Sequence, residues 1–318
     1  MSAHQPTYAV DVVIVSYSTR DATIECVRRV LDSEGCVPNV MVVDNHSVDS
    51  SATSLRNEFG SRITLIENSA NVGFGAANNQ GWRIRTSDFT LLLNADCFVH
   101  RDTISTCLEY LLSTSSIGAV ACQLRNPDGS IQRSCRRFPS VRDEYLSALL
   151  PYALLSHVPW AGGYFMSEWN HQGSRLVEQP AGAFLLMRNE AWGTGPPFDE
   201  RFFMYYEDVD LCRRIIERGN TILFTDTTAA IHLKEHSTGK VRAAMVPALV
   251  TSRYLYFDKW SGRKAARSVV AASLIRSGLR ALGSALLSLV PGNARSWSRV
   301  RAHWCGVLAA VDLLRGRQ

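Results

Sequence analysis

Asn94-Ala95-Asp96 follows an apolar run at what reads as a strand end, where a lone carboxylate can meet a hard cation. Diphosphate oxygens, water and one further side chain would complete the shell. Mg²⁺ or Mn²⁺ held there neutralises a departing diphosphate. The plainer use of the same tripeptide is a strand-terminal turn. Asp44 ends another apolar run and is trailed by Asn45, Ser47 and Asp49; it can accept hydrogen bonds from a ribose or a base, or serve in capping the next helix. Glu207, Asp208 and Asp210 stand directly against the aromatic stretch 202–206. Carboxylates among rings are costly unless hydrogen-bonded, paired or coordinated. A helix starting near them keeps them negative, and a fixed negative carboxylate can draw a proton from an attacking hydroxyl. His232, after Ala230-Ile231, is either structural or a second metal ligand or diphosphate contact beside Asp96.

These residues need a scaffold, and the pattern predicts an α/β one. Residues 10–17 and 40–43 read as buried strands around a helix at 21–31. The alternation continues with helices at 50–59, 75–85 and 103–113 and strands at 63–67, 89–93 and 118–124. Asp44 and Asp96 then fall beyond carboxyl ends of strands, where open α/β sheets gather ligands. Residues 71–79 carry Gly73, Phe74, Gly75, Ala76, Ala77 and Asn78, small enough in part for a helix start to approach a nucleotide closely. Residues 126–129 form a turn, 133–179 become irregular, and 211–219 read as a helix that puts Glu207 and Asp208 at or near its start.

From Lys240 the strand pattern ends. Helices are expected at 241–260, 265–290 and 295–314, giving a sheet-containing domain over 10–239 and a basic helical extension over 240–318. The chain has 318 residues, 46% hydrophobic and 20% charged, which excludes wholesale disorder. Eight cysteines without a C-x-x-C pair read as reduced thiols of a cytoplasmic protein. Residues 1–9 lack the pattern of a secretory signal, and Arg276 and Arg280 break the late apolar stretches before about 20 residues, so no membrane span is expected. Residues 263–317 hold many arginines and a single acid, Asp312. Such helices suit an anionic membrane surface; their apolar faces can equally cover the first domain or form a homodimer. Nucleic acid is disfavoured, because an acidic cleft repels a polyanion.

In order along residues 10–239, the motifs ending at Ser16-Tyr17 and Asp44-Asn45, then 71–78, 93–96, 182–184, 198–203 and 207–211, resemble family 2 glycosyltransferases of the rhamnosyltransferase-like branch. The resemblance implies a GT-A fold with a mixed, mostly parallel sheet. It also implies a nucleoside-diphosphate-sugar donor, Mg²⁺ or Mn²⁺, and inversion at the anomeric carbon. Carried onto this chain, Asp44 is the nucleoside-binding acid, Asp96 the metal-binding acid, His232 a metal and diphosphate contact, and Asp208 the general base. Ser16, Asn71, Gly73, Phe74, Asn78 and Asn94 fall on the donor side; Gly182, Ala183, Glu207 and Asp210 on the acceptor side. The branch favours L-rhamnose from its dTDP-linked donor, though uridine- or guanosine-linked sugars also fit the residues, and a saccharide acceptor, lipid-linked at the cytoplasmic face. Leu233-Lys234-Glu235-His236 departs from the glycine-rich residues common there and makes His236 a rival of His232. The reading of a different class is a nucleotide-sugar-binding or regulatory protein on a degenerate transferase fold, which would have no need of Asp208.

Overall fold

A computed structural model describes residues 8–150, 155, 163–233, 242–288 and 295–315. His236, the expected boundary at 239/240, Pro291-Gly292 and Arg317 lie outside them. The Val- and Ile-rich β1 (Tyr8–Ser16) leads through α1 (Arg20–Leu31) to β2 (Cys36–Asp44), α2 (Ser51–Phe59), β3 (Thr64–Glu67) and α3 (Phe74–Arg83). Then come β4 (Phe89–Asn94), β5 (Cys97–Val99), α4 (Thr103–Ser113) and β6 (Ile117–Arg125). After β7 (Cys135–Arg136), α5 (Val141–Leu149), β8 (Arg175–Val177), β9 (Gln179–Pro180) and β10 (Phe184–Arg188), the chain forms α6 (Glu207–Glu217) and β11 (Thr221–His232). Three long helices end the described chain: α7 (Arg242–Ser261), α8 (Arg263–Ser288) and α9 (Arg295–Leu314).

One sheet runs in the order β3-β2-β1-β4-β10-β6-β11-β5, with β8 also paired to β11. β1 to β4 are mutually parallel, as are β6 and β11; β10, β5 and β8 run antiparallel to their neighbours. The sheet is therefore mixed and largely parallel. Helices on its faces explain why its strands are continuous apolar runs. Val12, Ile14, Val42, Leu91, Leu93 and Val120 meet Cys26, Val27, Val30, Ile104, Cys107 and Leu108 of α1 and α4 in one buried core. α3 lies on β1 and β2. Gly81 makes that approach close, because a Cβ there would come within 2.6 Å of Val13 Cγ1.

The chain divides into two compact units, Met1–Arg136 with Trp169–Asp199 and Leu211–Ser237, and Arg137–Glu168 with Glu200–Asp210 and Thr238–Gln318. The second unit thus draws segments from upstream of residue 240. Within it α7, α8 and α9 pack on one another and α5 packs on α8. Phe202, Tyr206, Val209, Tyr256, Phe257, Val269 and Val270 form its core. The eight cysteines form no disulfide; seven are buried in the first unit and Cys305 is exposed.

The structure corrects several sequence expectations. α6 starts at Glu207, four residues before the helix expected from the apolar pattern, so both Glu207 and Asp208 lie in its first turn. β5 and β11 were not foreseen. The stretch Arg263–Leu286 of α8 is long and apolar enough to cross a membrane by length and composition, contrary to the expectation that its arginines would break it. It nevertheless buries Ala266, Val269, Val270, Ala272 and Arg276 within the protein.

Replacing Gly81 by Ala is expected to destabilise the fold by about 1–3 kcal/mol through overpacking, and Val13→Ala in the same chain to recover part of the loss. Urea unfolding of the single and double variants checks this.

Candidate functional site

Ser16, Asp44 and Asn94 end three neighbouring parallel strands: Ser16 is in register with Asp44, and Asn94 with Val15. The loops after β1 and β2 are laced together. Ser47 Oγ accepts from the Ser18 amide at 2.8 Å, Ser18 Oγ from the Val48 amide at 3.3 Å, and Asp49 from the Arg20 amide at 3.0 Å. Ser18, His46 and Ser50 all adopt positive φ, 54°, 70° and 64°, conformations that L-residues keep only where their surroundings insist. Asp44 is 4% exposed. One of its oxygens accepts the Ser47 amide at 3.1 Å, closing a local turn rather than capping α2; the other, Oδ1, is buried with no partner among the described residues. A buried carboxylate oxygen without a donor is costly, and a ribose or base donor would satisfy it.

Asn45 organises the next loop. Its amide donates to Asn71 Oδ1 at 2.9 Å, and its carbonyl accepts from Asn68 and the Val72 amide. Asn71 in turn accepts the Gly73 amide, and Gly73 enters α3 at φ 91°, a conformation that calls for glycine. The Asn71 carbonyl oxygen is thus engaged within the loop. Asn78 is buried and donates to the Phe74 carbonyl; the Ser16 hydroxyl is buried against Thr23 at 2.9 Å. Asn79, not singled out in the sequence, grips both backbone groups of Phe198 at 2.9 and 3.0 Å, while the Phe74 and Phe198 rings meet edge to face. Gly182-Ala183 reaches the same strand ends, since the Ala183 carbonyl accepts the Asn94 amide at 3.0 Å.

Asp96 follows β4 by two residues and precedes β5, whose Cys97 pairs with His232 at the end of β11. His232 Nε2 consequently lies 3.4 Å from Asp96 Oδ1, with both side chains about nine-tenths buried. Gln132 sets the state of the ring. Its Nε2 is 2.6 Å from the His232 carbonyl and 2.8 Å from Asn126 Oδ1, so that atom must be the amide donor. Gln132 Oε1, 3.0 Å from His232 Nδ1, is therefore an acceptor and holds the proton of the neutral ring on Nδ1. The bare Nε2 lone pair then faces a carboxylate. Two acceptors opposed in this way fit a divalent cation, and an imidazole whose other nitrogen is held by an amide is the usual form of a metal ligand. Among the described residues no group of three or more His, Cys, Asp or Glu gathers, and of these residues Asp96 and His232 are the ones placed to hold a cation.

The remaining acids belong to the second unit. Glu207 is buried, and burial together with the neighbouring Asp208 pushes its carboxyl well above the ordinary range. Its Oε2 has no hydrogen-bond partner among the described residues. Asp208 is half-buried and accepts its neighbour Val209's amide at 2.8 Å. Asp210 is fully buried against Lys259 Nζ at 2.8 Å and Trp260 Nε1 at 2.8 Å.

A mixed α/β sheet with carboxylates gathered beyond its parallel strand ends is the GT-A architecture of nucleotide-sugar-dependent transferases. The chain belongs to glycosyl transferase family 2, whose model matches residues 11–169. It is 30% identical over 279 residues to the N-acetylglucosaminyl-diphospho-decaprenol L-rhamnosyltransferase of Mycobacterium tuberculosis, covering 80% of this chain and 89% of that one. Rhamnosyltransferase WbbL of Escherichia coli is 28% identical over 172 residues, 52% of this chain and 62% of its own. In fold the chain is similar to a mannosyltransferase from Pyrobaculum calidifontis solved with GDP-mannose and Mn²⁺, with TM-score 0.54, 18% identity, and 99% and 89% of the two chains covered. Its reaction is sugar transfer from a nucleoside diphosphate to an acceptor hydroxyl.

In metal-free protein with the ring neutral, imidazole ¹⁵N shifts of His232 are expected to report the Nδ1–H tautomer. Gln132→Leu removes its acceptor and should shift the ring towards the Nε2–H form, a change read directly by NMR.

Proposed function

We propose that this enzyme is an inverting rhamnosyltransferase that carries L-rhamnose from a dTDP-linked donor to a hydroxyl of a saccharide borne on a polyprenyl diphosphate. The observation that carries the mechanism is the facing pair Asp96 Oδ1 and His232 Nε2, oriented by Gln132. These two residues would hold Mg²⁺ or Mn²⁺, which supplies neutralisation of the leaving diphosphate. Asp44 Oδ1 would accept from the nucleoside, with the loop at 71–73 beside it. The sugar follows the two rhamnosyltransferase relatives, and the polyprenyl diphosphate follows the mycobacterial one.

Asp208 is the general base in this reading. Burial and the neighbouring Asp208 disfavour the charged form of Glu207, whereas Asp208 is partly accessible in the first turn of α6. Asp210, bound to Lys259 and Trp260, shapes the helix start. A single displacement with Asp208 taking the hydroxyl proton inverts the anomeric carbon. Purified chain should therefore give inverted product only with Mg²⁺ or Mn²⁺, and none in excess chelator or with Asp96→Ala. Asp208→Asn should lower turnover by about 10²-fold or more with donor affinity nearly unchanged. Unchanged turnover beside a strongly impaired Glu207→Gln would transfer the role.

A lipid-linked acceptor gives the second unit a membrane to find. On α8, Ile275, Leu279, Leu282 and Leu286 recur at helical spacing and are 40–60% exposed, and Trp304 and Leu308 of α9 are also exposed. Arg263, Lys264 and Arg267 at the start of α8 are exposed, as are Arg299 and Arg301. Apolar stripes with basic neighbours lie on anionic bilayers without crossing them. Cosedimentation with anionic liposomes is expected at low salt, weaker at high salt, and weaker still when Arg263, Lys264 and Arg267 are neutralised together. A folded protein that ignores these liposomes in both conditions rules the surface out.

A further inference from the structure

The turn that delivers Asp208 is held from both sides by the second unit, and one of its anchors is a buried carboxylate. Tyr205 and Tyr206 stand at φ 69° and 65°, two successive left-handed residues with side chains, immediately before Glu207. Nothing in their own sequence favours that conformation, so something must hold it. Met204 is fixed through its carbonyl, which accepts from Ser252 Oγ of α7 at 2.8 Å. Tyr206 is buried with its ring against Tyr256, and its hydroxyl donates to Glu144 Oε1. Two residues beyond Asp208, Asp210 is clamped by Lys259 and Trp260. Asp208 thus sits midway between two fixed points.

Glu144 is an unusual anchor. It lies on α5, whose start is secured by a capping box between Ser140 and Asp143, and is 5% exposed. Arg276 Nη2 of α8 is 2.8 Å from its Oε2, and Arg253 Nε of α7 is 3.1 Å from the same oxygen. Burial would raise the Glu144 carboxyl, but Arg253 and Arg276 outweigh it and hold it below the ordinary range. It is therefore an ionised acceptor for Tyr206, whose own proton is retained because burial and Glu144 push the phenol well above its usual value. A buried charge shared by two arginines gains nothing over an apolar core unless its geometry is used.

We propose that Glu144, fixed by Arg253 and Arg276, is a positioning residue that acts through the Tyr206 hydroxyl to hold the left-handed turn and so aim Asp208 at the acceptor hydroxyl. The inference rests on Asp208 being the base. Tyr206→Phe removes only the hydroxyl and keeps the ring in its core, which makes it the informative variant. It should lower kcat roughly tenfold with the donor KM unchanged, as for a misplaced catalytic group. In an Asp208→Asn background the same change should cost nothing further, because there is no base left to aim. Glu144→Gln, checked for folding by its melting curve, should match Tyr206→Phe in this dependence on Asp208. Two outcomes overturn the proposal: wild-type kcat in Tyr206→Phe, or a loss that persists undiminished in the Asp208→Asn background, as a general structural defect would. Full turnover in Asp208→Asn alone would instead remove the base assignment beneath it.

Discussion

Cys97 pairs with His232 across the antiparallel edge between β5 and β11, and everything proposed for the diphosphate depends on that register. A slip of one residue would turn His232 to the other face of the sheet and leave Asp96 facing nothing basic. Several constraints converge to prevent it. The Leu233 amide donates to the Asp96 carbonyl at 3.0 Å, and Gln132 holds both the backbone and the ring of His232. The bonds to the His232 carbonyl and from the Leu233 amide are made by backbone and amide groups that do not titrate. An edge strand of three residues therefore sets a ring nitrogen that lies more than a hundred residues away in sequence.

The strands β1, β2 and β4 were legible because they are apolar runs buried on both faces, and their terminal acids marked the functional edge. β11 was not, and the reason is local. Ile222, Leu223 and Phe224 begin an ordinary strand, but its register against β6 shifts between Thr225 and Ala229, so Asp226, Thr227 and Thr228 interrupt the pattern. β5 is too short for any periodicity to appear. The start of α6 was placed late because its first turn is acidic rather than apolar, which is what a helix N-terminus favours. Asp44, Asp96 and His232 could be singled out by type and position. Gln132 could not, since an uncharged amide in an irregular segment carries no signal until the fold sets it beside His232. Glu144, Arg253 and Arg276 were equally silent: their ion pairs join three helices separated by long stretches of chain.

The two units use carboxylates differently. In the first, Asp44 keeps an oxygen without a protein donor among the described residues and Asp96 faces a ring nitrogen, which leaves binding capacity for a ligand. In the second, Glu144 and Asp210 are saturated by arginine, lysine, tyrosine and tryptophan, while burial and Asp208 push the Glu207 carboxyl well above its ordinary range. Asp208 alone among the acids of α6's first turn is only half-buried. Helices α7 and α8 are thus more than a basic appendage, because they supply the cations that hold this arrangement.

The distribution of sulfur has a separate consequence. All seven buried thiols lie in the first unit, and burial raises those of Cys26, Cys36, Cys97, Cys122 and Cys135 far from the thiolate form. Neither oxidants nor electrophiles meet a reactive sulfur there while the sheet is closed. Cys305 of the second unit is open to both. The rate at which the buried set becomes reactive is consequently a measure of how often the nucleotide-binding sheet breathes, recorded against a single thiol that is always available.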